Sequence, residues 1–172
     1  RLSALPRWSW QNWYQDFSKA GGVIADMQIH DLDMARYLFG EPAYVECRAA
    51  SKNVKYDVSQ IVLGYDFPFI SIGDWTMNGT RFTHMYRVGF EKATVIMENG
   101  KITVYPNDRG EPYEPEWKHV GGIEAEIDYY LDLLETGGQN LKNPPESAAA
   151  TIRLVGAAYR SADMGGFRIR LN

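Results

Sequence analysis

Cysteine is almost absent from this 172-residue chain, with Cys47 its single example. No intramolecular disulfide can form, and a lone thiol fits a reducing, cytoplasmic setting. Histidine is also scarce: His30, His84 and His119 stand far apart, and nothing has the spacing of a known zinc motif, so no metal site is expected. No apolar run approaches the ~20 residues that span a bilayer. Positive charge is not in excess either. Lys and Arg number 18 against 22 Asp and Glu, and the net charge of −4 argues against a nucleic-acid or anionic-membrane partner. There is no G-x-G-x-x-G after a candidate strand and no strand–helix alternation, so no Rossmann domain is expected in this chain. No G-x-S-x-G elbow or placed Ser/His/Asp set suggests a hydrolase. With no methionine at its start, the chain reads as a fragment of a longer protein.

What is present is an ordinary globular composition, 45% hydrophobic and 23% charged, of a length that suits one domain over residues 1–172. Its most informative stretch is residues 21–40. It reads as one helix, entered through Gly21-Gly22 and stopped by Gly40, with Pro42 beyond. At roughly 100° per residue, Asp26, His30, Asp33 and Tyr37 fall on one stripe. Val23, Met27, Met34 and Leu38 flank it on one side, and Ala25, Ile29, Leu32 and Phe39 on the other. A polar seam between apolar rows predicts a mostly buried helix with one strip facing a cleft. Asp26 and His30, at i and i+4, can reach one small volume. A carboxylate beside an imidazole suits the removal of a proton from a substrate hydroxyl, worth about 10²–10⁴-fold in rate. The same spacing also serves as a plain structural hydrogen bond near a helix start.

The rest of the chain supplies a scaffold. Residues 1–20 hold Trp8, Trp10, Trp13, Tyr14 and Phe17: an aromatic wall beside a polyhydroxylated substrate, a surface left bare by a missing domain, or packing over the end of a sheet. Period-two patterning then marks strands at 43–52, 57–66, 69–77 and 81–91. Asn99-Gly100 joins strands 93–98 and 101–105 as a type I′ hairpin. His84 shares a face with Phe82, Tyr86, Val88 and Phe90, as a packed sheet-face histidine or a substrate contact. His119 lies in a Pro- and Glu-rich loop and is expected to be solvated. Helices follow at 123–136, with an apolar stripe of Ile123, Ile127, Tyr130, Leu131 and Leu134, and at 145–164, where Ala148, Ile152, Val155 and Tyr159 are the expected core face. A last strand covers 167–171. The fold class predicted is α+β: a mostly antiparallel open sheet of six or more strands with helices packed on one face.

The string G-G-V-I-A-D-M-Q-I-H-D-L-D-M-A-R-Y-L-F-G closely resembles the segment that opens the second domain of the Gfo/Idh/MocA family, the glucose–fructose oxidoreductase and inositol dehydrogenase relatives. Where many members carry a small residue two before the histidine, this chain has Gln28. A weaker likeness runs through P-P-E-S-A-A-A-T-I-R-L-V-G-A-A-Y-R-S-A-D-M-G. The resemblance implies a glyceraldehyde-3-phosphate dehydrogenase-like C-terminal domain and an NAD(P)-dependent dehydrogenase of a sugar, inositol or related polyol. It implies His30 as the catalytic base and Asp26 as its orienting or substrate-contacting acid, with Asp33 as the acid that follows; Trp10 and His84 are further candidate substrate contacts. It also implies an upstream Rossmann domain holding NAD or NADP and a catalytic lysine, without which this chain is inactive, and a homo-oligomer built through the open sheet face. The competing expectation is a non-enzymatic ligand-sensing or oligomerisation module of the same fold.

Overall fold

The computed structural model describes residues 2–3, 8–16, 18–66, 69–76, 81–117 and 121–171, with residues 2, 69 and 71–76 as backbone only. The expectations for His119 and for Phe17 lie outside the described residues. The strands are β1 (Leu2–Ser3), β2 (Tyr44–Ala50), β3 (Val58–Gly64), β4 (Phe69–Thr76), β5 (Met85–Gly89), β6 (Ala93–Glu98), β7 (Lys101–Pro106) and β8 (Ile169–Arg170). The helices are α1 (Ile29–Phe39), α2 (Gly122–Thr136) and α3 (Pro145–Asp163). A 3-10 segment, Trp10–Gln15, and a π-helical segment, Ile24–Gln28, precede α1. The architecture is α+β and mostly antiparallel, as expected. Its strands divide between two sheets, ordered β1-β4-β3-β2-β8 and β5-β6-β7, and the chain forms two compact units.

The first unit, Arg1–His84 with Glu146–Asn172, carries the larger sheet, the π segment, α1 and α3. Alternation explains its core. Val45 pairs with Leu63 and Cys47 with Ile61 in the antiparallel β2–β3 register, and all four side chains are fully buried on the face that meets the helices. Ile24, Leu32, Leu154, Val155, Ala157 and Ala158 close over them. Each large aliphatic side chain so buried contributes about 1.5–3 kcal/mol. Because β8 pairs with β2 only at Tyr44 and Val45, the next inward N–H of β2 needs another acceptor. The Cys47 N–H donates to Ser161 Oγ of α3 at 2.8 Å, and Ser161 in turn donates to the Phe167 carbonyl at 2.6 Å.

Several expected faces shift. On α3 the buried row is Thr151, Leu154, Val155, Ala157, Ala158 and Ser161, while Ala148 is exposed and Ile152 is 59% exposed. Thr151 takes the inner position beside Ile152, where its hydroxyl meets Arg36 Nη1 and Asp33 Oδ1. The helix over 21–40 is buried at Val23, Ile24, Leu32 and Ala35, but its last turn exposes Tyr37, Leu38 and Phe39. Strands 81–91 and 167–171 shrink to β5 and β8.

The second unit, Met85–Pro145, holds the β5-β6-β7 meander and α2. Glu98 and Lys101 pair across Asn99 and Gly100, whose φ angles of 49° and 87° are those of the expected I′ turn. The stripe of α2 forms, but Ile123, Ile127, Tyr130, Leu131 and Leu134 are all exposed. Among the described residues no helix is long and apolar enough to cross a membrane.

Candidate active site

The entry to the helix admits only glycine. Gly22 has φ +65°, and a Cβ there would lie 1.6 Å from the Lys55 carbonyl oxygen. A Cβ on Gly21 would sit 2.8 Å from the hydroxyl of Tyr159, which donates to the Gly21 carbonyl. The Val23 N–H donates to the Tyr56 carbonyl at 3.2 Å. The β2–β3 loop and α3 thus fix where the helix begins.

From Ile24 to Gln28 the helix widens into a π turn before settling into α1. Such turns bulge outward and recur at functional sites. Gln28, the departure from the family string, explains the anchorage. It is fully buried, and its Oε1 accepts a hydrogen bond from Ser59 Oγ of β3 at 2.6 Å. Ser3 Oγ of β1 reaches Met27 Sδ at 3.2 Å. Asp26 lies in this wide turn, and His30 follows in the first turn of α1.

Asp26 is half-buried and His30 is exposed. The two stand on successive turns, as the spacing requires, but Asp26 Oδ1 accepts its hydrogen bond from the Tyr14 hydroxyl. No side-chain hydrogen bond or ion pair engages His30 among the described residues. Burial, then the hydrogen bond and charge of Asp26, push the Tyr14 phenol up to about 12, so it stays a donor at ordinary pH. The Tyr14 ring stacks on Trp13 at 4.2 Å and takes the Trp8 ring edge-on at 5.6 Å. Between them the chain turns through Gln11 and Asn12 at φ 54° and 51°, a left-handed pair that costs about 1–2 kcal/mol at Gln11 and less at Asn12. Trp8 and Trp10 are 76% and 78% exposed. This arrangement places a fixed carboxylate and an open imidazole one turn apart, with the carboxylate tied to an aromatic loop. Carboxylates accept from sugar hydroxyls, and indole faces cover their apolar C–H surfaces.

The other candidates are placed differently. Asp33 Oδ1 accepts from Thr151 Oγ1 of α3 at 2.5 Å and lies 3.5 Å from Arg36 Nη1, so it braces two helices. His84 is half-buried just before β5, its ring tilted against Phe82 at 5.5 Å. Among the described residues no group of three His, Cys, Asp or Glu could hold a metal ion. The one parallel pairing among the described residues, β1 with β4, is two residues long, shorter than the parallel strands of a dinucleotide-binding unit. Sequence reasoning named Tyr14 only as part of the aromatic wall; its 12-residue separation from Asp26 follows no local rule.

No curated protein matches the chain in a sequence search. Solved structures do match. The chain is 20% identical to the aldose-aldose oxidoreductase from Caulobacter crescentus complexed with glycerol, covering 99% of this chain and 53% of that one at a TM-score of 0.76. For the UDP-N-acetylglucosamine 3-dehydrogenase of Acidithiobacillus ferrooxidans the values are 16%, 95%, 52% and 0.78. For the WlbA dehydrogenase of Bordetella pertussis, in complex with NADH and UDP-GlcNAcA, they are 21%, 93%, 48% and 0.71. The chain spans about half the length of these proteins, and at such identities the likeness is one of fold. The family model described as GFO/IDH/MocA C-terminal domain matches residues 3–103, more than half of the chain. This chain belongs to the GFO/IDH/MocA family, with the fold of its C-terminal domain.

Proposed function

We propose that this chain is the substrate-side domain of an NAD(P)-dependent dehydrogenase that oxidises a secondary hydroxyl of a sugar, inositol or related polyol. The observation that carries it is the pair on the helix: Asp26 held from behind by Tyr14, and His30 exposed one turn on. Accepting the hydride is the cofactor's chemistry, and the described residues do not build its site. This chain's share is to position the hydroxyl and remove its proton. His30 takes that proton, and Asp26 accepts a hydrogen bond from a substrate hydroxyl and orders the ring beneath the imidazole. Family membership supports the reaction class, and the UDP-N-acetylglucosamine 3-dehydrogenase and the aldose-aldose oxidoreductase of like fold support the substrate class. In the same reading a second copy of the chain covers the outer face of the larger sheet, where Val58 is 41% exposed beside exposed Arg48 and Gln60.

The test is turnover of a sugar and polyol panel by the full-length natural protein with NAD or NADP. His30→Asn should keep the fold and lower turnover by about 10²–10⁴-fold, flattening the acidic limb of the pH–rate profile. Near-normal turnover by that variant refutes the assignment. A wild-type protein that binds sugars but turns none over indicates the sensing module instead.

A further inference from the structure

We propose that Tyr14 is a positioning residue of this site, holding Asp26 by one oxygen so that the other meets a substrate hydroxyl. The inference rests on the dehydrogenase reading above and adds to it a residue from outside the helix. Three observations converge on it. The Tyr14 hydroxyl donates to Asp26 Oδ1, and among the described residues no hydrogen bond or ion pair occupies Oδ2. The ring that carries this hydroxyl is packed on two sides, with Trp13 stacked on one face at 4.2 Å and Trp8 edge-on at 5.6 Å. The backbone of the loop is also left-handed at Gln11, a costly geometry for that residue that persists only where the surroundings enforce it, and at Asn12, which tolerates it.

The chemistry follows from a carboxylate's lone pairs. An ionised carboxylate can only accept, so the phenol must donate, and it fixes the rotation of the Asp26 side chain. One oxygen is then directed rearward to the loop and one is left for a ligand donor. A free aspartate in a wide helical turn samples several rotamers, and a sugar hydroxyl would have to freeze it on binding. Tyr14 removes that cost beforehand, which lowers the substrate concentration needed without touching the reacting carbon.

The experiment compares Tyr14→Phe with wild type in the full-length protein, measuring kcat and the KM values for sugar and for dinucleotide separately. Loss of a hydrogen bond to a charged group predicts a rise of about tenfold or more in the KM for sugar, with the KM for dinucleotide unchanged. Combined with Asp26→Asn, the substitution should have little further effect, since the phenol acts through that carboxylate. Tyr14→His keeps a planar ring and a donor and should recover part of the affinity. Equal sugar KM in wild type and Tyr14→Phe overturns the proposal, as does full additivity with Asp26→Asn. If Tyr14→Phe does not fold, Tyr14→His and Tyr14→Leu carry the comparison, and equal sugar KM in those two overturns it. A wild-type protein that oxidises no sugar refutes the dehydrogenase reading itself; an active wild type with an unimpaired Tyr14→Phe refutes only the role of Tyr14.

Discussion

Arg36 offers the sharpest test of how α1 is held. Its side chain is 6% exposed, yet it serves acceptors on both sides of a helix–helix contact. Nε donates to both oxygens of Glu41, at 3.1 and 2.9 Å, and Nη2 also donates to Glu41 Oε1. Nη1 donates to the Ser147 carbonyl at 2.9 Å and to Thr151 Oγ1 at 2.5 Å, both on α3. Arg36→Met keeps much of the aliphatic stem and removes all of these donors. Breaking a fully buried pair costs about 3–5 kcal/mol. The carboxylates of Asp33 and Glu41 remain 42% and 67% exposed and can return to water, which discounts that figure. The loss falls mainly on the Ser147 carbonyl and the buried Thr151 hydroxyl, at about 1–3 kcal/mol together with the weakened ion pairs. An unfolding free energy lower by about 1–3 kcal/mol is expected, and a midpoint lower by about 2–12 °C. Urea denaturation followed by tryptophan fluorescence measures it, with an unchanged slope showing that the unfolded state is unaffected. Glu41→Gln should cost less than half as much, because its partner keeps the α3 acceptors. A change below about 0.5 kcal/mol for Arg36→Met, within the range of ordinary surface substitutions, would refute the brace.

The same pair gives a pH dependence. The Arg36 hydrogen bond holds the Glu41 carboxyl below its ordinary value, so its stabilisation is present above the unfolded pKa near 4.3 and is lost as pH falls through the lower folded value. Wild type should therefore lose stability on acidification more steeply than Arg36→Met, and parallel curves would contradict this. Gly22→Ala should cost about 3 kcal/mol or more, since the new Cβ meets a backbone oxygen at 1.6 Å, while Gly137→Ala, left-handed at φ +67° but with open space around it, should cost about 1–2 kcal/mol; equal effects in thermal melts would sink the argument. Burial pushes the Cys47 thiol up to about 12, so iodoacetamide at pH 8 should label it only as fast as the protein opens. Rapid labelling of the folded protein would be the contrary result.

Much of the scaffold is legible in the chain because it rests on local periodicity. The Asn99-Gly100 turn needs two left-handed residues in succession, and that dipeptide supplies them whatever surrounds it. Val45 and Cys47 face the core with Ile61 and Leu63 because alternation leaves the strands no other register. Faces chosen among several apolar residues are less secure. Ile152 and Thr151 are neighbours on α3, and hydropathy favours burying the isoleucine. The fold buries Thr151, which meets both Arg36 and Asp33, a pairing more than 110 residues away in sequence. The exposed stripe of α2 shows the converse: periodicity states that a helix has an apolar side, and says nothing of what lies against it.

The candidate site divides along the same line. Asp26 and His30 could be paired from the sequence because both ride on one helix, and even a π turn between them does not move them to opposite faces. What fixes Asp26 in place was out of reach of any spacing rule. Gln28 ties the π turn to the sheet through Ser59, and the Asp26 rotamer depends on a phenol presented by a loop whose Gln11 is left-handed against its own preference. Local preference is overridden there twice within 20 residues, and both departures bear on the same carboxylate. Chains that fold reliably keep local and global preferences in agreement and depart from that agreement mainly where function demands it. The concentration of departures around Asp26, rather than around Asp33 or His84, is the structural reason to look for the chemistry at Asp26 and His30.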